Sequence, residues 1–380
     1  MTPPVVPFNR PSGRGRELEY MADALARGHI SGDGHYTRRC HELLERWHPG
    51  ARVLLTTSCT HALEMAAFLL DVGPGDEVVV PSFTFVSTVN AFVVRGARPV
   101  FVDVREDTLN LDERLLASRM TPRTKAIVPV HYAGVGCEME EIARVASSRG
   151  IPLVEDNAHG LFGTWRGRPL GTFGSLSTLS FHETKNVTCG EGGALVVNDP
   201  VLFARAEIVR EKGTNRSRFF RGEVDRYSWA DVGSSYLPSD LLAAFLLAQL
   251  EAAEASQARR RELWERYARE LAGWAERRGV RLPVVPPQCG SPWHLFHLLF
   301  PSLAARQAAV AHLKARGVHA VFHYLPLHLS EMGLLLGGRP GDCPVTEDVS
   351  DRLLRLPLFT DLRDDEQARV LDALLELDLG

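Results

Sequence analysis

The chain has 380 residues, 45% hydrophobic and 24% charged, with a formal net charge of −4. That length and balance fit a two-domain globular protein with ample core material. A mildly acidic chain with dispersed arginines offers no basic field for a phosphate polymer, which argues against nucleic-acid binding. The six cysteines show no C-x-x-C spacing and the fourteen histidines no H-E-x-x-H, so neither a disulfide frame nor a zinc centre is expected. No basic n-region with a following apolar h-region opens the chain, and its longest strongly apolar run, 241–248, is too short to span a bilayer. A soluble, cytoplasmic protein is therefore expected.

In chain order, β-branched runs at 53–57, 77–81, 99–104, 126–132, 152–156, 176–182 and 194–198 read as strands. Amphipathic stretches at 61–71 and 137–150 read as helices between them. This alternation predicts an α/β fold around a mostly parallel sheet buried on both faces, with ligands at the carboxyl ends of its strands. One long helix is expected over about 239–278, with Ser239 and Asp240 as candidate caps. The Pro-rich 281–292 reads as a loop into a smaller C-terminal α+β domain, with strands at 294–300 and 319–325 and helices at 303–316 and 364–377. The expected division is 1–250 for the large domain and 251–380 for the small one, joined by the long helix.

Gly134-Val-Gly136, with Asp156 twenty residues on, has the outline of a dinucleotide fingerprint. Met139 occupies the third glycine position, where a side chain obstructs close helix–strand packing, and that reading is rejected. Of 43 basic residues only four are lysines: Lys125, Lys185, Lys212 and Lys314. Lys185 alone has a strand-end serine, Ser180, before it and a glycine-rich loop, 189–194, after it. Asp156 closes another strand, and Ser58, Cys59 and Thr60 occupy a strand-to-helix turn, whose free amides and dipole attract anions. Taken singly, Ser58 and Thr60 read as helix caps, Asp156 as a turn residue and Lys185 as a surface lysine. Together they match what pyridoxal phosphate chemistry needs: a phosphate anchor, a carboxylate for the pyridine nitrogen and an amine for a Schiff base.

At these motifs the sequence resembles the DegT/DnrJ/EryC1/StrS sugar aminotransferases, which are fold-type I, aspartate aminotransferase-like, pyridoxal phosphate enzymes. The likeness runs through PFNRP, SCTHAL, PGDEVVVPSFTFVST, PVFVDV, PVHYAG, EDNAHG, SFHETKN and YLPLH. The stretches 31–40, 211–229 and 353–359 are similar to the nucleotide-sugar 4-aminotransferases that form dTDP-4-amino-4,6-dideoxygalactose.

The resemblance implies Lys185 as the Schiff-base lysine and Asp156 as the partner of the pyridinium. It implies His159 and Phe85 next to the cofactor ring, and Ser180 with Ser58, Cys59 and Thr60 at its phosphate. Ser235 falls where many members place an Asn that reaches the partner subunit's phosphate, and Asn157 stands where a small Ala is usual. Lys212, Arg216 and His328 are the expected contacts to the nucleotide diphosphate. Relatives acting as sugar dehydratases carry His at the lysine position, and this chain keeps Lys185. The implied activity moves the amino group of L-glutamate to C4 of dTDP-4-keto-6-deoxy-D-glucose in a homodimer with shared active sites, without a metal. Its alternatives are amination at C3 of a sugar nucleotide and a non-catalytic, regulatory protein of the same fold. Intact Asp156, Ser180 and Lys185 weigh against the last.

Overall fold

The computed structural model describes residues 5–378. Its first strands are β1 (Arg52–Thr56), β2 (Glu77–Pro81), β3 (Arg98–Val102), β4 (Thr124–Ile127), β5 (Val154–Asp156), β6 (Thr164–Trp165) and β7 (Arg168–Pro169). They are followed by β8 (Leu176–Ser180), β9 (Gly193–Val197), β10 (Cys289–Gly290), β11 (Phe296–Leu299) and β12 (Leu353–Leu356). β3, β2 and β4 pair in parallel, and β5, β8, β9 and β1 follow in that order. Isolated parallel bridges, Ile127–Leu153 and Val130–Asp156, lay β5 against β4. Across the resulting layer only β9 runs antiparallel to its neighbours. The expected mostly parallel sheet is borne out.

Alternation of side chains explains why both faces are covered. Val78 and Val80 of β2 enter a core shared with the helix Cys59–Leu69, whereas Val79 enters another with the helices Glu113–Arg119 and Met139–Ser147. On β1, Leu54 joins the first of these cores. Val53 and Leu55 join a third, under the helices Glu17–Ala26, His35–Trp47 and Asp240–Glu251.

A further core gathers Leu263, Tyr267, Leu271 and Trp274 of the helix Ala253–Arg278 with β11, β12 and the helices Leu303–Ala315 and Asp364–Leu375. Val6, from the other end of the chain, packs there too. β11 and β12 are antiparallel, extended by bridges Arg281–Leu299 and Val321–Arg355.

Two expected elements differ. The long helix over 239–278 is two helices, Asp240–Glu251 and Ala253–Arg278, broken at Ala252 (φ −93°, ψ 8°). The first is buried on nearly every side, whereas the second buries one stripe toward the other core. A straight rod cannot serve both. The segment 319–325 is not a strand, and only Val321 bridges to β12. The adjacent rings of His323 and Tyr324 stack at 3.7 Å, an arrangement that alternating strand side chains do not adopt.

Arg260, 2% exposed, ties the helix Ala253–Arg278 to the segments just before β11 and just after β12. Its guanidinium donates to the carbonyls of Trp293 (3.1 Å), Leu358 (3.2 Å) and His294. Arg260→Met strands these buried acceptors, and we expect it to lower unfolding free energy by about 3 kcal/mol. Urea unfolding checks this, and a loss below about 1 kcal/mol, the level of an ordinary surface change, would contradict the assignment.

Candidate active site

The sheet brings its functional ends to one edge. β1 stops at Thr56 and the helix Cys59–Leu69 starts at once, β5 ends on Asp156, and β8 ends on Ser180. Gly193, paired with both Thr56 and Ser180, opens β9 there. A Cβ on Gly193 would lie 2.4 Å from the Cys59 amide nitrogen, so glycine lets β9 approach this turn. The edge forms the floor of a cavity of about 720 Å³, lined by Ser58, Cys59, Thr60, Phe85, Asp156, His159, Ser180 and Lys185.

Each floor residue is held locally. Ser58 Oγ accepts from the His61 amide (3.1 Å), so it serves as the helix N-cap as well as a cavity wall. The Cys59 and Thr60 amides, at the first two helical positions, have no acceptor within the helix and remain to meet an anion. Thr60 Oγ1 donates to Ser87 Oγ (2.8 Å). Asp156 accepts from Thr88 Oγ1 (2.7 Å) and the Ala158 amide (3.2 Å). Burial raises the Asp156 pKa above the usual carboxylate range against these donors and Lys185. A cationic N–H placed beside it reverses that tendency and holds the carboxylate ionised.

Burial likewise pushes Lys185 down to about 8, with Arg355 acting in the same direction and Cys59 and Asp156 opposing. At pH 7 about a tenth of the enclosed amine is therefore unprotonated, far more than for an ordinary lysine. The other three lysines do not line the cavity. Cys59 is no rival nucleophile, because burial, with Asp156 beside it, pushes its thiol up to about 12.

The residues fit pyridoxal phosphate on three observations. A poised amine and a buried carboxylate face one cavity, the phosphate turn keeps two open amides, and the buried Nδ1 of His159 has no partner among the described residues. Ser58, Cys59, Thr60 and Ser180 could hold its phosphate, Asp156 its pyridine nitrogen and Lys185 its aldehyde carbon. Phe85 stands at the rim, 58% exposed, with its ring 6.4 Å from that of Tyr324. His159 stacks on His294 at 4.4 Å.

Other expected contacts lie elsewhere. Ser235 is exposed and does not line the cavity of its own protomer. Lys212 and Arg216 are also outside it, both paired with the buried carboxylate of Glu211 (2.8 and 3.3 Å). His328 is corrected from substrate contact to internal tie. It is fully buried, with Nδ1 against Ser82 Oγ (2.6 Å) and Nε2 against Glu347 (2.9 Å). Asn157, which stands where a small Ala is usual, is buried and does not line the cavity, donating to the Leu170 carbonyl (3.1 Å).

Several lining residues were not anticipated. They are His294, His323, Tyr324 and Arg355, with Thr84, Thr88, His182 and Glu191. Arg355 was visible as a lone cation inside the apolar run LLRLPLF, which is the signal that points to it. Among the described residues, no group of three or more His, Cys, Asp or Glu could hold a metal, and no helix is long and apolar enough to cross a membrane.

The family model of the DegT/DnrJ/EryC1/StrS aminotransferases matches residues 11–375. The aminotransferase TlmJ from Streptoalloteichus hindustanus superposes with a TM-score of 0.89 at 32% identity, covering 98% of each chain. Spr1654 from Streptococcus pneumoniae, a proposed sugar aminotransferase, does so in its PMP form with a TM-score of 0.91 at 27% identity, covering 97% of this chain and 98% of that one. Protein MJ1066 of Methanocaldococcus jannaschii is 31% identical over 378 residues, 98% of this chain and 97% of its own. With the fold, the site and these likenesses in agreement, the chain belongs to the DegT/DnrJ/EryC1/StrS aminotransferase family, whose members are pyridoxal phosphate-dependent.

Proposed function

We propose that this aminotransferase moves the amino group of L-glutamate to the C4 ketone of dTDP-4-keto-6-deoxy-D-glucose, giving a dTDP-4-amino-4,6-dideoxyhexose. The observation that carries the reading is the convergence of Lys185, Asp156 and the open Cys59–Thr60 amides on one cavity roomy enough for more than a cofactor. The C4 position rests on the similarity of 31–40, 211–229 and 353–359 to nucleotide-sugar 4-aminotransferases.

Pyridoxal phosphate supplies an electron sink that makes the donor's Cα–H acidic. The chain does the rest. The amides of Cys59 and Thr60, with Ser58 and Ser180, anchor the phosphate and fix register. Asp156, oriented by Thr88 and the Ala158 amide, holds the proton on the ring nitrogen. The Lys185 amine, its pKa lowered to about 8 by enclosure, takes the donor's Cα proton and in the second half delivers one to sugar C4. A homodimer with shared active sites belongs to the same proposal. Ser235, exposed on its own protomer, is available to a partner's phosphate site.

Incubation with L-glutamate and dTDP-4-keto-6-deoxyglucose is expected to release 2-oxoglutarate and yield an amine at C4. NMR couplings H3–H4 and H4–H5 report the face. Small values for both identify the galacto epimer and large ones the gluco epimer. Nitrogen at C3, or no 2-oxoglutarate, would overturn the reading.

A further inference from the structure

His294 reaches the cavity from a strained turn. Trp293, just before it, takes a left-handed backbone (φ 54°), and its amide donates to Ser291 Oγ (3.0 Å). That conformation is costly for a bulky residue and persists only where the surroundings impose it. Two side chains do so here. Arg260, from the helix Ala253–Arg278, donates to the carbonyls of Trp293 (3.1 Å) and His294. Asn186, from the loop after β8, donates to the Pro292 carbonyl (2.6 Å) and to Gln257 Oε1 (3.3 Å).

Asn186 follows Lys185 directly in the chain. The Pro292 carbonyl can only accept, so it fixes which way the Asn186 amide points. Asn186 Oδ1 is then the acceptor 2.8 Å from His294 Nδ1, and the imidazole carries its proton there. His294 Nε2 is left as a bare lone pair with no hydrogen-bond partner among the described residues. Burial, with His159, Lys185, Arg260 and Arg355 adding to it, holds the His294 pKa well below its ordinary range, so the ring stays neutral. Its plane is fixed by stacking on His159 at 4.4 Å. His294, Lys185 and Ser180 line both the main cavity and a small recess beside it.

We propose that His294 Nε2 is the hydrogen-bond acceptor for the Lys185 amine once that amine has taken the donor's Cα proton, with Asn186 as the positioning residue that sets the imidazole tautomer. This rests on Lys185 as the base in the aminotransferase reading above. In that step the Cα–H bond breaks, an N–H bond forms on Nζ, and an ammonium is enclosed with little water. Such a cation needs acceptors. In the same reading Asp156 and His159 serve the cofactor ring, and the hydroxyls of Ser58, Thr60 and Ser180 serve its phosphate. His294 is the lone pair left on the recess it shares with the amine. It holds the ammonium without taking the proton, because its own pKa lies far below that of Lys185.

The test reads Lys185 in the apoenzyme and the donor half-reaction in the holoenzyme. The pH dependence of Lys185 modification by trinitrobenzenesulfonate, followed by peptide mass spectrometry, gives the midpoint of the amine. An acceptor favours the protonated amine, so His294→Leu is expected to lower that midpoint by about one unit from about 8. His294→Gln, which keeps an acceptor, should restore more than half of the shift. Asn186→Ala, which frees the tautomer, should fall between wild type and His294→Leu, and serves if the latter does not fold. The other ionisable groups facing the amine are Cys59, Asp156, His159, His323 and Arg355, with His182, Glu191 and Tyr324 elsewhere on the lining, and none is altered.

In the holoenzyme, single-turnover reaction with L-glutamate should slow about tenfold in His294→Leu. The isotope effect from α-deuterated glutamate should grow, while donor Kd stays within about threefold. A midpoint that stays or rises in His294→Leu overturns the proposal, as does weakened donor binding in place of the slower step. Equal shifts in the Leu and Gln variants overturn the acceptor role, and a wild-type midpoint in Asn186→Ala overturns the positioning role. Only the donor half-reaction is read, so an enzyme that behaves as expected here but aminates no keto sugar defeats the proposed substrate and leaves this assignment standing.

Discussion

Lys185→Ala is expected to cut turnover by at least about a thousandfold while leaving the fold intact, because the chain has no second amine in the cavity to carry or move the proton. The nearest alternatives fail on position. Lys212 is paired with Glu211, and Lys125 and Lys314 belong to β4 and the helix Leu303–Ala315. Steady-state release of 2-oxoglutarate checks this, with circular dichroism as the fold control, and a loss below tenfold contradicts it. The same amine sets a pH dependence. It is a nucleophile only when unprotonated, and burial holds it down to about 8. Capture of pyridoxal phosphate by the apoenzyme should therefore speed up as pH rises toward about 8 and level off above it.

The second large effect is at Asp156. Asparagine keeps the shape and can still accept from Thr88, but it removes the charge that stabilises a protonated ring nitrogen. Asp156→Asn is expected to lower kcat by about a hundredfold to a thousandfold, with a much smaller change in KM for L-glutamate. The interaction gained in the transition state is lost, whereas ground-state binding of the donor does not depend on this charge. An equal rise in KM with kcat preserved would assign Asp156 to ground-state binding instead.

The floor of the cavity was legible in the sequence because it is local. Asp156 and Ser180 sit at strand ends, and the Ser58–Thr60 turn and Lys185 follow within two to five residues, where α/β sheets place ligand contacts. The remaining lining residues were not legible for the converse reason. His294, His323 and Arg355 reach the cavity from β12 and loops of the second core, a placement set by tertiary packing rather than by motif spacing. The stretch 319–325 looked like a strand from its β-branched and aromatic content, yet only Val321 pairs, and the chain then turns both His323 and Tyr324 inward. His328 shows the same limit. It lies four residues beyond Tyr324, but the short turn Leu327–Leu329 carries it to Ser82 and Glu347. The helix break at Ala252 was hidden because alanine is a good helix former, and only the two cores reveal why the rod must bend.

One lysine of four, Lys185, is proposed to carry the cofactor. Reducing the holoenzyme with borohydride, digesting it and mapping the modified peptide by mass spectrometry tests that assignment. Pyridoxyl phosphate is expected on the peptide containing Lys185 and on no other. Label on a peptide carrying Lys125, Lys212 or Lys314, or no label on a protein that still turns over, would contradict it.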